Sequence, residues 1–337
     1  MTHHHEILGG FGSPLAAGAI ALAVSWILTP FVRTLAIKKG AVDDPKRDDR
    51  RIHKEPLPRW GGLAIFAGIL VSILVIFPIR TTRYPIPLIG IEIISAGLVL
   101  FGLFDDIKEF SARLQLVALL GAGLLVQLFH GRYGQSVQIH TLGIPGSEHF
   151  LQLPPVLSMI VTSIYIFVIT KTMDTIDGVD GLASGIATVC ATTLAIIAWY
   201  MRQPPIALAA AAVAGASLGF LRHNYNPAKI IMGTGGAYVL GFTLACLSIV
   251  GALKTAVMVS VFVPMLAFGV PIFDAFFVII RRILSGTPIT KPDKRHLHHM
   301  LLSKGLSQRQ TVSVLLSLAT LLCVVLFLLI QHFYTHV

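Results

Sequence analysis

Long apolar runs alternate along the chain with short segments that hold most of its polar residues. A transmembrane helix needs about 20 mostly apolar residues to cross the hydrocarbon core of a bilayer. Runs of this kind lie at residues 14–37, 62–79, 86–104, 112–130, 154–172, 181–200, 205–221, 236–252, 255–280 and 311–332. The pattern therefore predicts an all-α, polytopic membrane protein with about ten transmembrane helices.

Composition supports a membrane protein and excludes several soluble classes. Hydrophobic residues make up 55% of the 337 residues and charged residues only 12%, whereas soluble domains carry about 25% charged residues. This excludes a soluble enzyme or a DNA-binding domain, so we expect no nucleic-acid partner despite a net charge of +10. Because no soluble domain interrupts the apolar runs, we interpret residues 1–337 as one integral membrane domain within the lipid bilayer.

The basic residues predict which side of the membrane each loop occupies. Twenty of the 26 lysine and arginine residues lie in or beside the loops that follow the odd-numbered apolar runs. Cytoplasmic loops carry an excess of lysine and arginine. We therefore expect the odd loops in the cytoplasm and both chain termini outside.

The same odd loops carry almost every unusual polar side chain. The first loop combines an aspartate with arginines and a histidine, the third and fifth contain aspartates, the seventh contains an asparagine, and the ninth contains a basic histidine cluster. In chain order the candidates are Asp43, Arg51, His53, Arg59, Asp105, Asp106, Asp174, Asp177, Asp180, Asn224, Arg295, His296, His298 and His299. One face of the membrane is thus predicted to gather carboxylates, cations and histidines.

The aspartates indicate a site for a divalent cation. Asp105 and Asp106 are adjacent at the end of an apolar run, where two carboxylates repel unless a cation lies between them. Asp174, Asp177 and Asp180 are spaced three apart, which would place them along one face of a helix. Oxygen ligands favour Mg²⁺ over zinc, with Mn²⁺ as the substitute. There is an alternative for each group: Asp105 and Asp106 could mark a helix boundary by capping, and the other three aspartates could lie in a solvated loop.

Two further features add an anion site to this interpretation. Gly233, Gly235 and Gly236 precede the eighth apolar run, where backbone N–H groups could approach a phosphate, although a close helix–helix contact explains them equally well. The histidine cluster follows Lys294 and Arg295, so it suits a polyanion better than a metal cation. A metal site beside an anion site supplies the components that phosphoryl transfer needs.

Six ordered motifs between about residues 30 and 310 resemble those of the bacterial polyprenyl-phosphate N-acetylhexosamine-1-phosphate transferases. The motifs are PLPRWGG, FDD, DTIDGVDGLASG, NYNPAKIIMG, FDAFFVIIRR and DKRHLHHML. The forms PLPRWGG and HLHH are similar to the branch that transfers GlcNAc 1-phosphate. Enzymes of this branch begin the synthesis of lipopolysaccharide O-antigen, enterobacterial common antigen or wall teichoic acid. The resemblance implies transfer from UDP-GlcNAc to undecaprenyl phosphate with release of UMP, in the bacterial cytoplasmic membrane with the site on the cytoplasmic face.

The resemblance also implies roles for the candidate residues. Asp105 and Asp106 match an essential, catalytic aspartate pair near the metal and the lipid phosphate. We expect Mg²⁺ to be held by four aspartates, Asp105, Asp106, Asp174 and Asp177. The nucleotide-sugar site would comprise acids, an asparagine and the basic cluster, namely Asp177, Asp180, Asn224, Arg295, His296, His298 and His299. The first loop would help to hold the lipid phosphate through Asp43, Arg51, His53 and Arg59. A homodimer is the candidate assembly.

Four positions depart from the family pattern. Lys171 and Asp174 stand where the family usually has asparagine, Thr234 replaces an aspartate that serves as a metal ligand, and Gln115 stands in place of a lysine. We hypothesise that Asp174 compensates for the aspartate missing at Thr234, which would keep the charge around the metal. The alternatives are a non-catalytic relative that acts as a lipid-binding scaffold, and a transporter.

Overall fold

The computed structural model describes residues 3–45, 55–80, 85–131, 136–143, 150–252 and 297–335, together with residue 269. Its helices are α1 (His3–Lys38), α2 (Gly61–Arg80), α3 (Ile86–Lys108), α4 (Ala112–Leu125), α5 (Pro155–Ile176), α6 (Leu182–Tyr200), α7 (Pro204–Asn224), α8 (Gly233–Ala252), α9 (Leu297–Ser303) and α10 (Gln308–Thr335). A 3-10 turn, Val126–Leu128, extends α4. Apart from residue 269, the predicted ninth run at residues 255–280 lies outside the described ranges, as do Arg51, His53, Arg295 and His296.

Most of the predicted transmembrane helices are confirmed. Within the described ranges, seven helices are long and apolar enough to cross a membrane, namely α1, α3, α5, α6, α7, α8 and α10. α2 and α4 are also apolar but offer shorter stretches, Gly61–Ile76 and Ala112–Leu128. The chain is therefore a polytopic, largely helical membrane protein, while the total of ten spans stays a prediction.

Proline sets the start of three helices, because its fixed φ suits a first helical turn that needs no N–H donor. α3 follows Pro85, α5 follows Pro154, and α7 begins at Pro204 itself. At the C-terminal ends, α6 and α8 stop where their apolar runs stop, at residues 200 and 252, but α3 does not. α3 continues four residues beyond the run at 86–104, so Asp105 and Asp106 lie in its last turn rather than in a loop.

The aspartate series is divided by the end of a helix. α5 ends at Ile176, with Asp174 in its last turn and Asp177 as its C-cap residue. Asp180 therefore lies beyond the helix, and the prediction that all three aspartates share one helical face is wrong. The turn between the two helices ends at Gly181, the N-cap residue of α6, whose φ of +81° is readily adopted only by glycine.

α8 is the central helix of the bundle. In its apolar stretch 89% of the residues are buried, against 28% for α1 and α10. It packs against α3, α5, α2 and α6, and its large side chains Tyr238 and Phe242 are fully buried. Around it, α1 packs on α7 and α2, while α10 packs on α6. The outer helices keep rows of exposed Leu, Ile, Val and Phe, as expected of surfaces that face lipid.

The first and last long helices both run between the two ends of the bundle. α1 ends beside the loop after α7, since Arg33 Nε donates to the Lys229 carbonyl. α10 begins beside the same loop, where Gln308 accepts from Asn226, and reaches Tyr200 at the far end of α6 through Phe327. The N-terminal end of α1 and the C-terminal end of α10 therefore lie opposite that loop.

Two short antiparallel strand pairs add to the predicted all-α architecture. β1 (Val42–Asp43) pairs with β2 (Leu57–Pro58), and β3 (Thr141–Gly143) pairs with β4 (Phe150–Gln152). Strands of two or three residues leave little periodicity in a sequence, so the hydrophobic pattern could not predict them. The first pair matters for the site, because it fixes the segment that carries Asp43 and Arg59.

Candidate active site

The loops after α1, α3, α5 and α7 meet at one end of the bundle. Backbone hydrogen bonds join the first and fourth of these loops: Ile231 N donates to Pro58 O, Gly61 N to Ile231 O, and Gly62 N to Met232 O, at 3.0, 3.2 and 2.9 Å. Thr234 N also donates to Asp106 at the end of α3, and Asn226 donates to Asp180 after α5, so these four odd loops lie together at one end of the bundle, as predicted.

Trp60 ties the first loop to α3. Its indole Nε1 donates to the Leu103 carbonyl at 3.2 Å, and its φ of 80° is unusual for a residue with a Cβ. This strained residue lies next to Arg59. Backbone hydrogen bonds on both sides of Trp60, from Arg59 N to Ala41 O and from Gly61 N to Ile231 O, hold it in place. The sequence placed Trp60 in a motif but gave no reason to predict this positioning role.

Arg59 joins two buried carboxylates from different parts of the chain. It forms an ion pair with Asp43 of β1, and its Nη1 lies 3.5 Å from Asp106 Oδ1 of α3. Burial tends to lower the pKa of Arg59, but Asp43 and Asp106 outweigh that effect and raise it above its ordinary value. Arg59 is therefore a fixed cation, and Asp43 orients it.

Asp106 is the carboxylate at the centre of the loop assembly. Its Oδ1 accepts a hydrogen bond from Thr234 N at 3.0 Å, while its Oδ2 is buried and has no hydrogen-bond partner among the described residues. The preceding Gly233 has a φ of +70°, and a Cβ there would meet Asp106 Oδ2. Position 233 therefore requires glycine both for its backbone conformation and for the close approach of the carboxylate.

Asp105 and Asp106 point in different directions, because adjacent helical residues are about 100° apart. Asp105 Oδ1 accepts from Phe110 N at 2.9 Å, and both of its carboxylate oxygens lie 3.2 Å from Gln115 Nε2. Asp105 thus closes the turn between α3 and α4. The two carboxylates have different partners, and the geometry favours Asp106, with its unpaired Oδ2, as the one available to a ligand.

Lys171 and Asp174 extend the hydrogen-bond chain that begins at Asp105. Lys171 Nζ donates to Gln115 Oε1 at 2.9 Å and to Asp174 Oδ2 at 2.7 Å. The charge of Asp174 is therefore offset by a cation three residues earlier on α5. Sequence analysis singled out Gln115 and Lys171 only as departures from a family pattern. Their contact joins α4 to α5, which periodicity within one helix cannot predict.

Asp177 is surrounded by like charges. Burial raises the pKa of Asp177 well above its ordinary value, and the nearby carboxylates Asp174 and Asp106 raise it further, while Arg59 lowers it. The three carboxylates are thus close enough to repel one another electrostatically. A cation that binds among them would relieve this repulsion.

Asp180 and Asn224 hold the loop after α7 in place. Asp180 Oδ2 accepts from Asn226 Nδ2 and Ala228 N at 2.9 and 3.1 Å. Asn224, only 1% exposed, accepts from Gly181 N and Ser184 Oγ and donates to the Ile230 carbonyl. These bonds position the loop, so for both residues the structure supports a positioning role. Their direct contact with a nucleotide sugar stays a prediction.

Two of the three glycines before the eighth apolar run serve helix packing. A Cβ on Gly102 of α3 would meet the backbone of Gly235, and a Cβ on Gly62 of α2 would meet the backbone of Gly236. The helix–helix alternative thus accounts for Gly235 and Gly236. Only Gly233 lines the site.

The histidine cluster is described in part. His298 and His299 belong to α9, but the structure does not describe their side chains. Arg295 and His296 lie outside the described residues altogether, as do Arg51 and His53 of the first loop. The proposed roles of these six residues stay predictions.

The described side chains fit a metal ion that is bound together with substrate. Among the described residues, no three acidic, histidine or cysteine side chains form a ready-made metal cage. Mg²⁺, however, is commonly held by one or two carboxylates plus substrate phosphates and water. The unpartnered Asp106 Oδ2 and the crowded Asp177 carboxylate suit that mode of binding.

The helices and this assembly of buried carboxylates around Arg59 define a polytopic membrane protein with a polar site at one end of the bundle. Residues 88–252 match the family model described as glycosyl transferase family 4. The chain is 35% identical over 301 residues to a probable undecaprenyl-phosphate N-acetylglucosaminyl 1-phosphate transferase of Bacillus subtilis. The alignment covers 89% of this chain and 80% of that relative.

Two other relatives carry similar names. The chain is 31% identical over 332 residues to a decaprenyl-phosphate N-acetylglucosaminephosphotransferase of Mycolicibacterium smegmatis, covering 90% and 80% of the two chains. It is 26% identical over 300 residues to the undecaprenyl-phosphate alpha-N-acetylglucosaminyl 1-phosphate transferase of Escherichia coli K12, covering 87% and 77%. The chain therefore belongs to glycosyl transferase family 4, which confirms the resemblance found in the sequence.

Proposed function

We propose that this protein transfers N-acetylglucosamine 1-phosphate from UDP-GlcNAc to undecaprenyl phosphate, with release of UMP. The observation that carries the proposal is the convergence of Arg59, Asp106 and Asp177 where four loops meet at one end of the bundle. The names of the relatives support the same reaction. The reaction would be the first membrane step of a cell-envelope glycan pathway.

The chemistry requires little help from a general base. The second pKa of a phosphate monoester is about 6, so the lipid phosphate is mostly dianionic at pH 7. One of its oxygens attacks the phosphorus bonded to the sugar and forms a new P–O bond. The bond from that phosphorus to the oxygen of the uridine monophosphate breaks, and UMP leaves with the electron pair.

The main barrier is the approach of two polyanions, which fixed cations lower by electrostatic stabilisation. Arg59 is held by Asp43 in one orientation, so its charge costs no reorganisation during the reaction. Asp106 and Asp177 would hold Mg²⁺, with Asp105 and Asp174 as nearby acids that shape the site. When bound, Mg²⁺ neutralises phosphate charge and orients the reacting groups.

We place the site at the cytoplasmic face of the bacterial cytoplasmic membrane. The support is the excess of lysine and arginine in the loops that follow odd-numbered runs. Four of these loops lie at the end of the bundle that contains Arg59 and Asp106. A cysteine-accessibility experiment with an impermeant thiol reagent, on a single cysteine placed at exposed Lys304, would test this orientation.

The proposed reaction is tested with the full chain purified in detergent. The protein is incubated with undecaprenyl phosphate, Mg²⁺ and a panel of UDP-sugars, and UMP release is measured. Asp106→Asn is compared with Glu109→Gln, which removes the same charge from an exposed position at the same end of α3. We expect lipid-dependent UMP release with UDP-GlcNAc, loss of release in Asp106→Asn, and near-normal release in Glu109→Gln.

The alternative outcomes are informative. In one outcome, the protein releases no UMP with any UDP-sugar but still binds undecaprenyl phosphate. That result would overturn the enzymatic proposal and favour the lipid-binding scaffold, with the aspartate missing at Thr234 as the reason for the lost activity. Release that does not depend on the lipid would contradict the assigned acceptor.

A further inference from the structure

Lys171 lies on the lipid-facing stripe of α5. The large apolar side chains Leu157, Ile160, Ile164 and Val168 are 45, 47, 50 and 38% exposed, and they follow one another at helical spacing along one face. Lys171 continues the same face toward the site, and its side chain is 38% exposed. A cation thus ends a stripe that faces hydrocarbon along the rest of its length.

The ammonium group of Lys171 is oriented but not saturated. A lysine ammonium carries three donors. Within the described part of the chain, two of them are used, by Asp174 at 2.7 Å and by Gln115 at 2.9 Å. The group also lies 5.9 Å from the centre of the Tyr238 ring, which restricts it further through a cation–π contact. One donor on a partly exposed, fixed ammonium is therefore left for a ligand.

The position of Lys171 separates the two substrates of the proposed reaction. Lys171 precedes Asp177 by six residues, so it lies about 9 Å deeper along the helix axis. A water-soluble nucleotide sugar reaches the site from the loop end of the bundle. A lipid phosphate arrives from the bilayer, with its chain beside the exposed helix faces and its anionic head at their polar end.

The geometry points to Lys171 as a binding residue for the phosphate of the lipid acceptor, with Asp174 and Gln115 as the residues that position it. The inference rests on the proposed function for the identity of that lipid. Gln115 also donates to Asp105, so a phosphate held at Lys171 lies two hydrogen bonds from the aspartate pair of α3. The cation therefore lies at the boundary between the lipid surface and the reacting groups.

The test separates binding of the lipid from binding of the nucleotide sugar. Lys171→Met keeps the length of the side chain and removes its charge, Lys171→Arg keeps the charge, and Lys304→Met removes an exposed cation from the loop before α10. Native mass spectrometry of each full chain in detergent measures binding of undecaprenyl phosphate, with undecaprenol as the phosphate-free probe. Steady-state assays give the KM for each substrate.

Loss of one charge-assisted hydrogen bond corresponds to a change of about 10- to 100-fold. We expect Lys171→Met to weaken undecaprenyl phosphate binding and raise its KM by that factor, with no comparable change for undecaprenol or in the KM for UDP-GlcNAc. Lys171→Arg should recover most of the affinity, and Lys304→Met should match the wild type.

A relocation experiment separates binding from structural support. Lys171→Asn with Gln115→Lys moves the cation across the 2.9 Å contact from α5 to α4. We expect the double variant to bind undecaprenyl phosphate more tightly than Lys171→Asn alone. Equal lipid affinity in wild type and Lys171→Met would overturn the inference, as would a parallel rise of both KM values. Absence of transferase activity in the wild type with charge-dependent lipid binding intact would overturn only the proposed function.

Discussion

Replacing Arg59 by methionine should destabilise the protein, because it leaves two buried carboxylates without their shared cation. Asp43 and Asp106 are 5% and 6% exposed, while the Arg59 side chain is 19% exposed. Removing one partner of a buried ion pair costs about 3–5 kcal/mol. The partial exposure of Arg59 places the expected loss near the lower limit, at about 3 kcal/mol.

This loss can be measured as a shift in thermal unfolding. In domains of 150–250 residues, 1 kcal/mol corresponds to about 2–4 °C, and the larger size of this chain favours the small end. We therefore expect the apparent Tm of Arg59→Met to fall by about 6 °C, measured by tryptophan fluorescence in one detergent at one scan rate. Arg59→Lys keeps the charge but loses the planar guanidinium group, so its apparent Tm should lie between those of the wild type and Arg59→Met.

A double-mutant cycle identifies the cause of the shift. Asp43→Asn removes one of the two charges that Arg59 compensates, so the double variant should be less destabilised than the sum of the single variants. Neighbouring residues in one ion-pair network typically couple by about 0.5–3 kcal/mol. A Tm of Arg59→Met within 1 °C of the wild type, or strict additivity in the cycle, would refute the reasoning.

Three further predictions concern the metal and the loop around Thr234. Gly233→Ala should lower both UMP release and Tm, because φ at this position is +70° and the added Cβ would meet Asp106. The control Gly97→Ala, which has open space around the added Cβ, should change neither quantity. Equal behaviour of the two variants would contradict this prediction. EDTA should abolish UMP release, and Mg²⁺ or Mn²⁺ should restore it; full activity in EDTA would exclude the metal site. Asp174→Asn with Thr234→Asp should retain UMP release while each single change loses much of it, and full activity of Asp174→Asn alone would reject compensation.

The sequence determined the membrane architecture because hydrophobicity is a local property of each segment. A run of about 20 apolar residues is helical in lipid whatever it packs against, since its backbone groups have no other partners there. Proline positions set helix starts for an equally local reason, and α3, α5 and α7 each begin at a proline or directly after one. The order of the loops along the chain was sufficient to predict that the polar candidates share one end of the bundle.

The tertiary structure decided what each of those candidates does. Asp105 and Asp106 are identical neighbours in sequence, yet one closes a turn and the other meets Arg59 and Thr234, because a helix turns about 100° per residue. Asp180 and Asn224 matched a nucleotide-sugar motif, but both accept hydrogen bonds that join the loop after α5 to the end of α7 and the loop that follows it.

The bridge from Asp105 through Gln115 to Lys171 joins three separate helices. Sequence alone could not predict it, because a contact between distant segments depends on how helices pack rather than on any local pattern. The sequence therefore determined which residue types reach the polar end of the bundle, and the packing of helices decided their partners.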